Sequence, residues 1–185
     1  FVNTVKNSAC TFGGINLEDI KSPECFEIET RLKAELNIPL MHDDQHGTAI
    51  ISSAGLINAV EISGKKLSEV KLVVNGAGAS AISCAKLYIS VGVKKENILM
   101  YDSKGALTVD RKDLDEHKTF FASTRKGGDK LEDGMKGADV FVGLSKGNIL
   151  NKEMVQSMAP NCIVFALANP TPEISYEEAL AARPD

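Results

Sequence analysis

The sequence has no surplus of positive charge: 21 Lys and Arg against 25 Asp and Glu leave a formal net charge of −4. Such a chain has no counterion release with which to hold a nucleic acid, so no nucleic-acid partner is expected. Long apolar runs are missing too. No stretch approaches the roughly 18 residues needed to span a bilayer, and the longest helical candidate, 49–62, is interrupted by Ser52, Ser53, Gly55 and Asn58. No membrane association is expected. Fifteen glycines and six prolines are too few for a low-complexity chain, and 43% hydrophobic with 25% charged residues is ordinary globular usage. The four cysteines, at 10, 25, 84 and 162, form no CxxC pair, which argues against both a zinc ribbon and a compact disulfide frame. Cys84 and Cys162 lie in apolar runs and read as small core residues. A reducing, cytoplasmic compartment is the expectation. There is no initiator Met, and the opening FVNTVKNSACTFGG has neither the apolar core nor the cleavage site of a signal peptide. We expect these 185 residues to be the middle of a longer polypeptide.

What is present is regular alternation. Ser22-Pro23-Glu24 reads as a helix start, with Ser as cap and Pro in the first turn. That helix runs to about Leu36 with Phe26, Ile28, Leu32 and Leu36 on its apolar face. Pro39-Leu40-Met41 suits a short strand, HDDQHG a polar turn, and 48–62 a second helix. From there KLVVNG (71–76), ENILMYDSKG (96–105), ADVFVGLSKG (138–147) and CIVFALANP (162–170) read as strands, separated by helices at 79–91 and 152–158. Strands apolar on both faces and spaced by helices predict an α/β fold, a doubly wound parallel sheet over about 67–172. Residues 119–137, rich in Lys, Gly and Asp, read as a surface connection with a short helix.

The turn Gly76-Ala77-Gly78-Ala79-Ser80-Ala81 follows the first of these strands and opens a helix. In that context the first glycine permits the tight turn, the second lets backbone approach a pyrophosphate, and the small third residue lets helix pack on strand. Asp102 ends the next strand 26 residues beyond Gly76, where a carboxylate would accept hydrogen bonds from a free ribose 2′-hydroxyl and repel a 2′-phosphate. This points to NAD, although Lys104 and Lys112 could offer a cation to the phosphate of NADP.

Two acid pairs precede the sheet, Glu18-Asp19 and Asp43-Asp44. Spacing alone leaves two readings open. Asp44 could cap the following helix while Glu18 and Asp19 stay solvated. Alternatively, they are hard oxygen ligands for Mg²⁺ or Mn²⁺, with His42 and His46 in supporting hydrogen bonds or turn packing. Gly143-Leu144-Ser145 and Asn169-Pro170 end the last two strands, where open α/β sheets bind their ligands.

With these residues laid out, the chain resembles the malic enzymes, especially the shorter bacterial-type ones, over essentially its whole length. The resemblance rests on FGGINLEDI (12–20), HDDQHGTA (42–49), VVNGAGASA (73–81), DSKG (102–105) and FALANPTPE (165–173), in the family's order. It implies oxidative decarboxylation of L-malate to pyruvate and CO₂ with NAD or NADP and Mg²⁺ or Mn²⁺, in a homo-oligomer, usually a dimer. By motif position Glu18, Asp19 and Asp44 would be metal ligands, and Asp43 would orient the catalytic lysine. Thr48, Gly76, Ala77, Gly78, Ala79, Ser80, Ala81, Asp102, Gly143, Leu144 and Ser145 would contact the dinucleotide. Asn169 would reach both substrate and nicotinamide. Residues 1–64 would then be the end of the catalytic, metal-binding domain with its linking helix, and 65–185 a Rossmann-like NAD(P)-binding domain.

The family's general-base lysine and tyrosine acid come from a segment upstream of FGGIN, and Lys6 matches no such motif. The 185 residues are therefore expected to bind cofactor without turning over malate alone. The glycine turn leaves room for two other readings. One is another NAD-dependent dehydrogenase of the amino-acid-dehydrogenase-like type, the other a nucleotide-binding module without chemistry.

Overall fold

The computed structural model describes residues 1–21, 23–124, 128 and 130–185. The chain opens with α1 (Val2–Ser8), β1 (Ile15–Leu17), α2 (Glu24–Glu35) and β2 (Leu40–His42). β1 and β2 pair in parallel, Ile15 opposite Leu40 and Leu17 opposite His42. Together with the two helices they close a small core of Val2, Leu17 and Leu32, flanked by Ile15, Ile28, Leu36 and Leu40. β1 was not expected, because three residues are too few to show a period. α2 lies where the sequence placed it, but its buried side is Cys25, Glu29 and Leu32. Glu29 tolerates burial because Lys33 and His46 both pair with it, at 2.8 and 2.7 Å. The cap proposed at Ser22 lies outside the described residues.

α3 (Asp43–Ile62) begins five residues earlier than expected, so HDDQHG is mostly its first turn and not a polar turn before it. Two acids at the positive end of the helix favour this start, and His42 supplies extended backbone before it. Asp44 is therefore inside the helix and not its cap. Gly47 is accommodated for a steric reason: a Cβ there would lie 2.3 Å from Asp43 Oδ1.

The rest forms the predicted doubly wound sheet. β3 (Leu72–Asn75), α4 (Ala79–Ser90), β4 (Ile98–Asp102) and the two-residue β5 (Gly105–Ala106) come first. α5 (Glu116–Phe120), α6 (Leu131–Met135), β6 (Val140–Gly143), α7 (Lys152–Gln156), β7 (Ile163–Ala166) and α8 (Tyr176–Ala182) follow. The sheet order is β5-β4-β3-β6-β7, with every pairing parallel except the antiparallel edge pair β4–β5. Residue alternation explains the two layers. Leu72, Val74, Met100, Val140 and Val142 face α3 and α4 through Leu56, Val60, Ile82, Ala85 and Tyr88. Val73, Leu99, Tyr101 and Phe141 face the other side, against Met135, Met154, Val155, Met158 and Ile174. Fully burying each of the Val, Leu, Ile, Met and Phe side chains among these contributes about 1.5–3 kcal/mol. All four cysteines are free thiols, Cys84 fully buried and Cys162 partly so. Within 119–137 the expected short helix is α6, while 125–127 and 129 lie outside the described residues. Among the described residues no helix is long and apolar enough to cross a membrane.

Candidate nucleotide and carboxylate site

The chain leaves β3 toward β4 on one side and returns to β6 on the other, so the order reverses between β3 and β6. Ligands of open α/β sheets bind at the carboxyl ends of the strands flanking such a reversal. The glycine turn follows one of these strands and Gly143-Leu144-Ser145 the other, with Asn75 opposite Gly143 in register.

Gly76 is buried at φ +129°, and a Cβ there would meet the Leu144 carbonyl oxygen at 2.6 Å. Its amide donates to Tyr101 O at 2.9 Å. Gly78 is different: it precedes α4 with extended backbone and nothing within 4 Å of where its Cβ would be. Bare backbone facing open space suits close approach of a phosphate. The N-terminus of α4 has no side-chain cap, so its first amides and dipole point toward that space. Ala77 and Ala79 are half-buried, and Ala81 packs in the core at 1% exposure. Across the reversal Leu144 N donates to Asn75 O at 2.8 Å, and Asn75 Nδ2 donates to Ser145 Oγ at 2.6 Å. Asn169 is exposed beyond β7 and joined to Pro170 by a cis peptide bond. Thr48 is half-buried on α3.

Asp102 ends β4 as expected, but its carboxylate is already engaged. Arg111 grips both oxygens, Nη1 to Oδ1 at 2.8 Å and Nη2 to Oδ2 at 3.0 Å, and the Lys104 amide donates to Oδ1 at 2.9 Å. Lys118 stands 3.5 Å away. Burial alone would raise the carboxyl's pKa, yet these partners outweigh it and hold Asp102 below the ordinary carboxylate range. The Lys104 side chain pairs with Asp113 at 2.7 Å, and Arg111 also reaches Asp113 at 2.9 Å. Arg111 is the functional candidate that the sequence reading passed over. An Arg nine residues past the acid expected to bind ribose could have been noticed as a cation in reach.

The acid pairs are brought together in part. The Asp19 amide donates to Asp44 Oδ2 at 2.9 Å, with Asp19 itself in the left-handed region at φ +57°. Glu18 and Asp19 are exposed, while Asp43 and Asp44 are half-buried. Among the described residues no three His, Cys, Asp or Glu side chains converge tightly enough to hold an ion. The carboxylate oxygens of Glu18, Asp19 and Asp44 are nonetheless the hard donor type that suits a divalent cation. His42 is fully buried, its Nδ1 3.8 Å from Asp44 Oδ2, and neither ring nitrogen has a hydrogen-bond partner among the described residues. His46 is drawn to Glu29 instead. The carboxylate pair and the glycine turn meet directly: Ser80 Oγ, in the first turn of α4, donates to the Asp44 carbonyl at 2.5 Å.

Comparison with known proteins identifies the family. The family described as malic enzyme, NAD-binding domain matches residues 45–182. The NADP-dependent malic enzyme of Haemophilus influenzae is 51% identical over 185 residues, covering 100% of this chain and 24% of that protein. The NAD-dependent malic enzyme of Rhizobium meliloti is 50% identical, over 95% of this chain and 23% of that protein. The crystal structure of Entamoeba histolytica malic enzyme matches with a TM-score of 0.92 at 36% identity, covering 98% of this chain and 39% of that one. The chain thus spans about a quarter of the length of these curated relatives.

Proposed function

The chain belongs to the malic enzyme family, and from that premise we propose that it is the nucleotide-binding part of a longer enzyme that oxidatively decarboxylates L-malate to pyruvate and CO₂. One observation carries the reading most: the Ser80–Asp44 hydrogen bond puts the glycine turn against the acid pair, so a nucleotide and a chelated hydroxy acid would share one crevice. In this reading residues 1–64 close the catalytic domain and 65–185 hold the nucleotide. The exposed Ile50, Ile51, Ile57 and Ile62 of α3 leave an apolar surface for the rest of the longer enzyme to cover. The enzyme is proposed to be a cytoplasmic homo-oligomer, a setting in which its free thiols stay reduced.

Each residue then has a task. Amides of Ala79 and Ser80 face the pyrophosphate above the bare Gly78, while Gly76 lets the turn pass the Leu144 carbonyl. Ala77, Ala81, Leu144 and Ser145 shape the crevice wall, and Thr48 approaches the nucleotide from α3. Asn169 hydrogen-bonds substrate and nicotinamide, and Asp43 orients the base lysine supplied from upstream. Glu18, Asp19 and Asp44 would hold Mg²⁺ or Mn²⁺, Glu18 closing on the other two when a cation offsets their mutual repulsion. When bound, the cation supplies Lewis-acid stabilisation of developing oxyanion charge, and the nicotinamide takes up two electrons. At the ribose, Arg111, Lys104 and Lys118 face Asp102 and Asp113. With its charge so offset, Asp102 repels a 2′-phosphate weakly, and we propose that NADP is accepted beside NAD.

Product analysis tests the reaction. The full-length enzyme, given L-malate, NAD(P)⁺ and Mn²⁺, should yield pyruvate and reduced nucleotide in equal amounts, with the yield abolished by a chelator. Accumulation of oxaloacetate without pyruvate, or a rate indifferent to the chelator, contradicts the reading.

A further inference from the structure

Glu173 is fully buried, at 0% exposure, just beyond β7. Its carboxylate accepts from two backbone amides: Ala168 N at 3.1 Å and, more loosely, Ser145 N at 3.5 Å. No ion pair reaches it among the described residues. A buried carboxylate held by backbone amides alone is costly, so its placement calls for a reason. The carboxyl group also fills the space a side chain at residue 143 would need, since a Cβ on Gly143 would lie 2.1 Å from Glu173 Cδ. The glycine at 143 therefore makes room for this carboxylate, one signal the sequence offered and its reading left unused.

The two amides belong to the two loops at the carboxyl edge. Ser145 follows β6 and is tied through its hydroxyl to Asn75, the residue before the glycine turn. Ala168 follows β7 and immediately precedes Asn169. Main-chain bonds reinforce the bridge: Leu167 N donates to Gly143 O at 3.1 Å, Asn148 N to Pro172 O at 3.0 Å, and Leu150 N to Glu173 O at 3.0 Å. We propose that Glu173 is a positioning residue: its buried carboxylate clamps the loop carrying Asn169 to the loop carrying Ser145, and thereby fixes where Asn169 stands in the crevice. The role in turnover rests on the malic-enzyme reading above; the clamp itself does not.

Glu173→Gln tests it in the full-length enzyme, because glutamine keeps the size but replaces one acceptor oxygen with a nitrogen that cannot accept from an amide. With malate, kcat should fall roughly ten- to a hundredfold, as for a displaced reacting group. The Kd for NAD(P)H should stay within about threefold of wild type, separating orientation from uniform binding. Hydrogen exchange gives a readout independent of malate: segments 143–148 and 165–173 should exchange at least about tenfold faster while 72–75 stays protected. Glu173→Asp, which keeps the charge and shortens the reach, should loosen the same two segments if the glutamine variant does not fold. Wild-type exchange in both segments, or loosening spread evenly through the sheet, overturns the clamp. An unchanged kcat beside an active wild type overturns its role in turnover. A wild type silent with malate sinks the functional reading instead, and the exchange experiment still decides the clamp.

Discussion

Gly76 and Gly78 stand two residues apart and answer to different neighbours. At Gly76 a side chain meets the Leu144 carbonyl and a φ of +129°, so Gly76→Ala should destabilise the fold by about 2–3 kcal/mol, seen as a lower urea midpoint. At Gly78 nothing stands within 4 Å. Gly78→Ala should melt with the wild type in the absence of nucleotide, yet weaken NADH binding about tenfold or more by holding off the pyrophosphate. The turn itself was legible in the sequence, because a glycine turn between strand and helix carries its own physical reason. The state of Asp102 was not, because its partner Arg111 is brought to it by a loop whose course no local pattern fixes. Arg111→Ala should raise the Kd for NADPH about tenfold or more while leaving NADH within about threefold, measured by fluorescence titration. The same pair has a pH signature. Asp102 is held below its ordinary value of 3.8, so the pair's contribution is complete above that value and is lost as pH falls through the lower folded one. Stability of Arg111→Ala should therefore fall less steeply than wild type in acid denaturation followed below pH 3.8.

At the scale of elements, the strands and helices of the main sheet were predictable because their apolar residues repeat with the right period and end in glycine or Asx turns. The failures are physical as well. β1 and β5 are three and two residues long and exist only through their pairing. The start of α3 was misplaced because Gly47 and two acids read locally as a turn, whereas the helix dipole favours those acids and Asp43 occupies the space that Gly47 leaves. This yields a separable prediction. Alanine at 47 gains about 1 kcal/mol of helix propensity, and the atom in its way is the mobile end of the Asp43 side chain. Gly47→Ala should therefore fold with stability near that of wild type, while the displaced Asp43 costs the full-length enzyme about tenfold or more in kcat. Equal losses of stability and activity would place the effect in the helix and not in Asp43.

Over the whole molecule, the order β5-β4-β3-β6-β7 decides what can meet. It gathers the glycine turn, the Ser145 loop and Asn169 on one edge, and the packing of α3 on α4 carries the acid pair to the same place through Ser80 and Asp44. The family resemblance implies a base lysine and a tyrosine acid from a segment upstream of FGGIN. The account thus divides the labour: nucleotide binding here, proton transfer from upstream. The most direct test follows the appearance of NAD(P)H with L-malate and Mn²⁺, comparing the full-length enzyme with the 185-residue chain at matched nucleotide occupancy. The account predicts a full-length enzyme that reduces nucleotide, and a chain that binds nucleotide but reduces none. Malate-dependent reduction by the chain alone, or none by the full-length enzyme, would contradict it.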